Sequence, residues 1–155
     1  MSRTPKIHKW LYSGELSGRF LMLPPELFED PAFQKLSFTA RYFYVALCLN
    51  KETECQRACL YKSLEEYNRI FDLGLTEQDI RDEATPNKRT KNQSGLFVAP
   101  VKQMEQYGFK KNYQTKLKKE LIQHGFIKVK YGGKGRYGGW NENVTVYQFS
   151  NEWKK

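Results

Sequence analysis

The polar residues between Tyr107 and Phe126 are those whose types and spacing could do chemistry. Lys110, Lys111, Asn112, Gln114, Thr115, Lys118 and Lys119 follow a small residue, Gly108, at a tight bend. Asn and Gln side chains can pair two-to-two with an adenine edge. Lys reaches guanine O6 and N7 or a phosphate, and a Thr methyl fits a thymine methyl. A helix fits the major groove of duplex DNA, and its N-terminal half does the reading. Lys111, Asn112, Gln114, Thr115 and Lys118 are therefore the expected base-edge contacts, with Gln114 and Lys118 one turn apart on the polar face. A second group of cations follows: Lys128 and Lys130 on an alternating segment, and Lys134 and Arg136 inside the glycine-rich run at 132–139. Glycine there allows close approach to phosphate or to the minor groove, where cations release counter-ions.

Charge supports the same surface. Residues 1–50 carry 6 basic and 4 acidic groups (+2), residues 51–95 carry 8 and 9 (−1), and residues 96–155 carry 12 and 4 (+8), which sum to the net +9. A field concentrated in one part of a chain attracts polyanions, nucleic acid first among them. Enzyme signatures are missing from the sequence: no HExxH, no GxSxG, and no Cys with a supporting His. Cys55 and Cys59 lie one helical turn apart, but no second pair and no neighbouring histidine completes a zinc set. No metal site, no cofactor and no small-molecule substrate is expected. The short apolar runs fall far below the ~20 residues of a membrane span. The start of the chain has no apolar segment of a leader. A cytoplasmic, nucleoid- or plasmid-associated protein is the expectation.

Elements must position these residues. Residues 1–19 read as an irregular arm, Phe20–Leu23 as a brief strand, and Pro25 as the opening of a short helical turn. Ser37 caps a scaffold helix in which Leu36, Ala40, Phe43 and Leu47 recur at helical spacing. Ser63-Leu64-Glu65-Glu66 matches a capping box, which predicts a helix from Ser63 with Leu64, Tyr67, Ile70 and Phe71 as its stripe and Gly74 at its end. Thr76 opens an acidic helix from Glu77 to Ala84, and residues 85–94 read as a loop. Residues 95–99 predict a strand and Pro100 a helix start. A second helix over 112–124 points Tyr113, Leu117, Leu121 and Ile122 inward. Alternation over 126–131 and 144–149 predicts a β-hairpin. Tyr131, Tyr137 and Trp140 divide evenly between stacking on nucleic acid and packing the hairpin. Helix, tight turn, helix, hairpin is the order of a winged helix-turn-helix. The expected fold is α+β and mostly helical: one domain over 20–155 with a C-terminal β-hairpin wing and a helical insertion at 51–93.

Three stretches carry a family resemblance: Phe20 to Asn50, with Leu36-Ser37-Phe38-Thr39-Ala40 at its helix start; Tyr113 to Ile127, with Leu-Lys-Lys-Glu-Leu-Ile and Gly-Phe-Ile; and the closing Tyr147 to Trp153. Together they resemble plasmid replication initiators of the RepA N-terminal-domain type. They are also similar to phage replisome organisers of Gram-positive mobile elements. The resemblance implies a replication-initiator-like protein that binds double-stranded DNA. A winged-helix transcriptional regulator is the alternative, and a protein-interaction scaffold that binds no nucleic acid is a second. Residues 63–84 are expected to face away from DNA. Their stripe would pack on the first helix or on a second copy, as in a homodimer.

Overall fold

The computed structural model describes residues 23–84, 95–132 and 145–154. The expected arm, the strand at Phe20–Leu23 and the loop at 85–94 lie wholly or almost wholly outside them. Two short turns open the described chain. Pro25 starts α1 (Pro25–Glu29), where its missing N–H costs nothing. Asp30 ends that turn and begins α2 (Pro31–Gln34), accepting from Ala32 N at 2.8 Å. The scaffold helix α3 (Phe38–Lys51) forms as read: Ser37 Oγ accepts from Ala40 N at 3.1 Å, and Ala40, Phe43 and Leu47 are buried.

The next helix differs from the reading. Residues 54–71 form one long α4 (Glu54–Phe71) capped by Thr53, whose Oγ1 accepts from Gln56 N at 3.2 Å. Ser63 lies inside it. Its hydroxyl donates back to Cys59 O at 2.7 Å, so the apparent capping box has no free amide to serve. The helix stops at Asp72, which takes the left-handed conformation (φ 50°) two residues before Gly74. Helix α5 (Glu77–Ala84) starts with a reciprocal cap, Asp79 N to Thr76 Oγ1 at 3.1 Å and Thr76 N to Asp79 Oδ2 at 2.9 Å.

Strand β1 (Leu96–Val98) leads into α6 (Val101–Glu105) and α7 (Lys111–Gln123). Strands β2 (Ile127–Tyr131) and β3 (Val146–Phe149) and a 3-10 turn (Glu152–Lys154) complete the described chain. The sheet is antiparallel in the order β1-β3-β2. On one face Phe97, Ile127 and Tyr147 join Phe43, Met104, Leu117 and Leu121 of α3, α6 and α7 in the main core. On the other face Leu96, Val98 and Val146 meet Leu60, Leu64 and Tyr67 of α4 and Ile80 of α5. A bulge between Val129 and Tyr131 resets the alternation of β2. Val129 pairs with Tyr147 on the first face, whereas Tyr131 pairs with Val146 on the second and stacks on Tyr67 with centroids 5.8 Å apart.

The fold is thus α+β and mostly helical, with helices on both faces of a small sheet. The buried part of the α4 stripe packs on this sheet and on α5 rather than on α3. Leu64 and Tyr67 are buried there, Ile70 is half-buried and Phe71 is exposed. Removing the Tyr67 ring should therefore open the second core. Tyr67→Ala is expected to cost about 3–5 kcal/mol, read from urea unfolding as a lower midpoint of a single transition. A separate early transition that left the rest of the molecule intact would show that α4 and α5 are an appendage.

Candidate nucleic-acid interface

The bend before α7 is built by three devices. Gly108 adopts φ 97°, a left-handed conformation that suits glycine. Phe109 turns inward, its ring 4.8 Å from that of Phe43 and edge-on. Gln114 ties the bend from inside, donating through Nε2 to Phe109 O at 2.9 Å and Val101 O at 3.1 Å. Helix α6 is seated by its own buried amide. Gln103 Oε1 accepts from Asn50 Nδ2 at 2.9 Å, and its Nε2 donates to Cys55 Sγ at 3.0 Å and Cys59 Sγ at 3.3 Å. Both cysteines thus help to link α4 to α6. Among the described residues no group of three or more His, Cys, Asp or Glu side chains is placed to hold a metal.

Two expected contacts are corrected by this geometry. Gln114 is 1% exposed, so its amide cannot read a base edge; it serves the buried Phe109 carbonyl and adds a second donor to Val101 O at the start of α6. Its Oε1 is buried without a hydrogen-bond partner among the described residues. Lys118, one turn on, also points inward: Nζ donates to Ala99 O at 3.1 Å and lies 5.6 Å from the Tyr147 ring centroid. Burial pushes its ammonium down to about 8. The inward stripe of α7 is Gln114, Leu117, Lys118 and Leu121. Tyr113 and Ile122, expected inside, flank it and are exposed.

Rotating the face this way moves the outward stripe to Asn112, Thr115, Lys116, Lys119 and Gln123, all exposed. Asn112, Thr115 and Lys119 were expected there. Lys116 and Gln123 were missed, although their spacing from Asn112 (i+4 and i+11) is the helical signal that would have found them. Lys110 and Lys111 are exposed at the N-terminal end of α7, and Lys110 occupies the N-cap without a side-chain cap bond. Glu120 is the one acidic residue of α7, and it is engaged: Ser37 N donates to Oε2 at 2.7 Å and Ser37 Oγ to Oε1 at 3.0 Å. That fork pins α7 to the start of α3 and orients the carboxylate toward Ser37.

On β2, Lys128 and Lys130 are exposed. Tyr131 packs inward on Tyr67, which decides its role for packing. Lys134, Arg136, Tyr137 and Trp140 lie outside the described residues.

Two expectations separate the inward residues of α7 from contact residues. Gln114→Ala should lower stability by about 1–3 kcal/mol in urea unfolding, because it strands the buried Phe109 carbonyl. A variant of unchanged stability would return Gln114 to the surface. For Lys118, the folded protein sheds its proton near pH 8 while an unfolded lysine holds it to about 10.5. Between those values the unfolded chain binds more protons, so this group makes stability rise with pH, by at most about 1.4 kcal/mol per pH unit. Burial holds the Cys48 thiol up at about 12, which opposes that rise above pH 9 in any variant that keeps the cysteine. The stability difference between the wild type and Lys118→Met, measured from pH 7 to pH 10, isolates the lysine: the wild type should gain on the variant. A constant difference would place Lys118 in solvent.

Comparison with protein-family models, with curated proteins and with solved structures finds no match to this chain.

Proposed function

We propose that this chain is a sequence-specific double-stranded DNA-binding protein of the winged helix-turn-helix class, acting as a replication-initiator-like protein of a mobile element. The observation that carries the reading is the outward stripe of α7. Asn112, Thr115, Lys116, Lys119 and Gln123 are exposed, while the inward residues of the same helix hold the fold. In this reading α6 and α7 are the helix-turn-helix, and β2 with β3 forms the stem of the wing. Asn112, Thr115 and Lys116 in the N-terminal half of α7 meet base edges, and Lys119 meets phosphate. Lys128 and Lys130 add sequence-independent attraction from the strand, and Lys110 and Lys111 add it from the bend. The order β1, α6, α7, β2, β3 with sheet order β1-β3-β2 supports the class assignment. The replication role rests on the sequence resemblance. Footprinting against the element's own origin and promoters tests it, and protection confined to promoters would make the protein a regulator.

Affinity measured at several salt concentrations on a preferred site and on random duplex tests the division of labour. Asn112→Ala should cost about 1–3 kcal/mol on the preferred site and little on random DNA. Lys119→Ala should weaken both alike and reduce the salt slope by about one. Salt-insensitive or absent binding to any duplex would overturn the proposal.

A further inference from the structure

A groove beside the outward stripe, sharing Lys116 with it, runs between α3 and α7 with a volume of about 570 Å³. That volume falls within the range of ligand sites, ~300–1,000 Å³. Its apolar surface comes from Tyr42 on α3, Phe109 at the bend, and Tyr113 and Leu117 on α7. Tyr42 is 54% exposed and Tyr113 is 58% exposed, high values for large rings beside a packed core. Tyr42 is held in place from both ends: its hydroxyl donates to Tyr107 O at 3.1 Å, and its ring lies 4.9 Å from that of Phe109. Tyr113 has no ring partner among the described residues.

The rim is cationic. Lys110 and Lys116 line the groove, and neither ammonium meets a carboxylate within salt-bridge distance among the described residues. Glu120 also lines it; its carboxylate accepts from Ser37 and keeps its negative charge, so the rim sets two cations against one anion. A fixed ring on one helix, a free ring on the other and ammonium groups at the edge suit a flat ring that carries a negative charge. A base stacked inside a duplex offers no such free face, whereas an unpaired nucleotide offers a π-face and a phosphate together.

We propose that this groove binds an unpaired nucleotide of a single DNA strand, stacked on Tyr113 and held by Lys110 and Lys116. A free nucleotide has the same chemistry, so the experiment carries both forms. Fluorescence anisotropy is followed with a labelled oligothymidylate of about ten nucleotides, the same length in duplex form, and thymidine monophosphate as competitor. The intact chain is compared with Tyr113→Ala, Tyr113→Phe and Lys110→Ala. The expected result is single-strand binding that falls about tenfold in Tyr113→Ala, survives in Tyr113→Phe and weakens in Lys110→Ala. Duplex affinity stays within twofold in both Tyr113 variants. Tyr113 is exposed, so its variants should melt with the wild type, and circular dichroism checks this. Three results would overturn the inference: no single-strand binding, single-strand binding indifferent to Tyr113→Ala, or binding of the monophosphate without the strand. Loss of duplex binding alone would sink the proposed function and leave this site standing.

Discussion

Strand β1 has three residues and is buried on both faces, and the rest of the molecule is arranged around that burial. Phe97 faces the core shared by α3, α6 and α7; Leu96 and Val98 face α4 and α5. So short a strand cannot stand alone, and its outer edge needs hydrogen bonds that the sheet does not supply. Its inner edge pairs with β3, and Val98 N on the outer edge donates to Gln56 Oε1 at 2.8 Å. Gln56 is itself buried, and its Nε2 donates to Lys51 O at 3.0 Å, so one side chain joins the end of α3, the start of α4 and the edge of the sheet. Helix α4 therefore belongs to the sheet as much as the strands do.

From β1 the constraint passes to α7. Ala99 continues the strand, and its carbonyl receives the Lys118 ammonium. Val101 opens α6, and its carbonyl receives the Gln114 amide. The inward side of α7 is thus attached to the segment that leaves β1, while Glu120 attaches it to the start of α3. Three polar residues of this helix are committed to position. The polar residues left without such work are Lys111, Asn112, Thr115, Lys116, Lys119 and Gln123, and their exposure supports a role in contact.

Much of this arrangement was legible in sequence where apolar spacing is dense. Leu36, Ala40, Phe43 and Leu47 fixed the phase of α3, and Gly95 to Pro100 marked the strand and the following helix. The phase of α7 was harder, because Leu117 and Leu121 alone leave room for rotation to either side. Tyr113 and Ile122 look apolar and Gln114 and Lys118 look polar, so residue type favoured the wrong side. What decided the phase was the carbonyls at Ala99 and Phe109, which take their donors from α7; that demand exists only once the chain is folded. Helix α4 failed for the same reason. Gln56 and Ser63 are buried polar residues whose partners are backbone groups, one on a strand far along the chain and one a turn earlier. A pattern read from hydrophobicity sees them as interruptions.

The two faces of the sheet also separate charge. The −1 segment 51–95 contributes α4 and α5 to one face, and the +8 segment 96–155 contributes α7 to the other. The acidic residues of α5 (Glu77, Asp79, Asp82 and Glu83) therefore have the sheet between them and the lysines of α7. Exposed charges more than a Debye length apart, ~8 Å at physiological salt, are largely screened from one another. The acidic layer thus subtracts little from the field at Lys116 and Lys119, yet it gives the molecule a polarity. A polyanion within about a Debye length of the α7 side meets its cations with little opposition from the acidic layer. Burying both faces of β1 is what sets this polarity: the apolar stripes that cover Leu96 and Val98 carry the acidic surface with them.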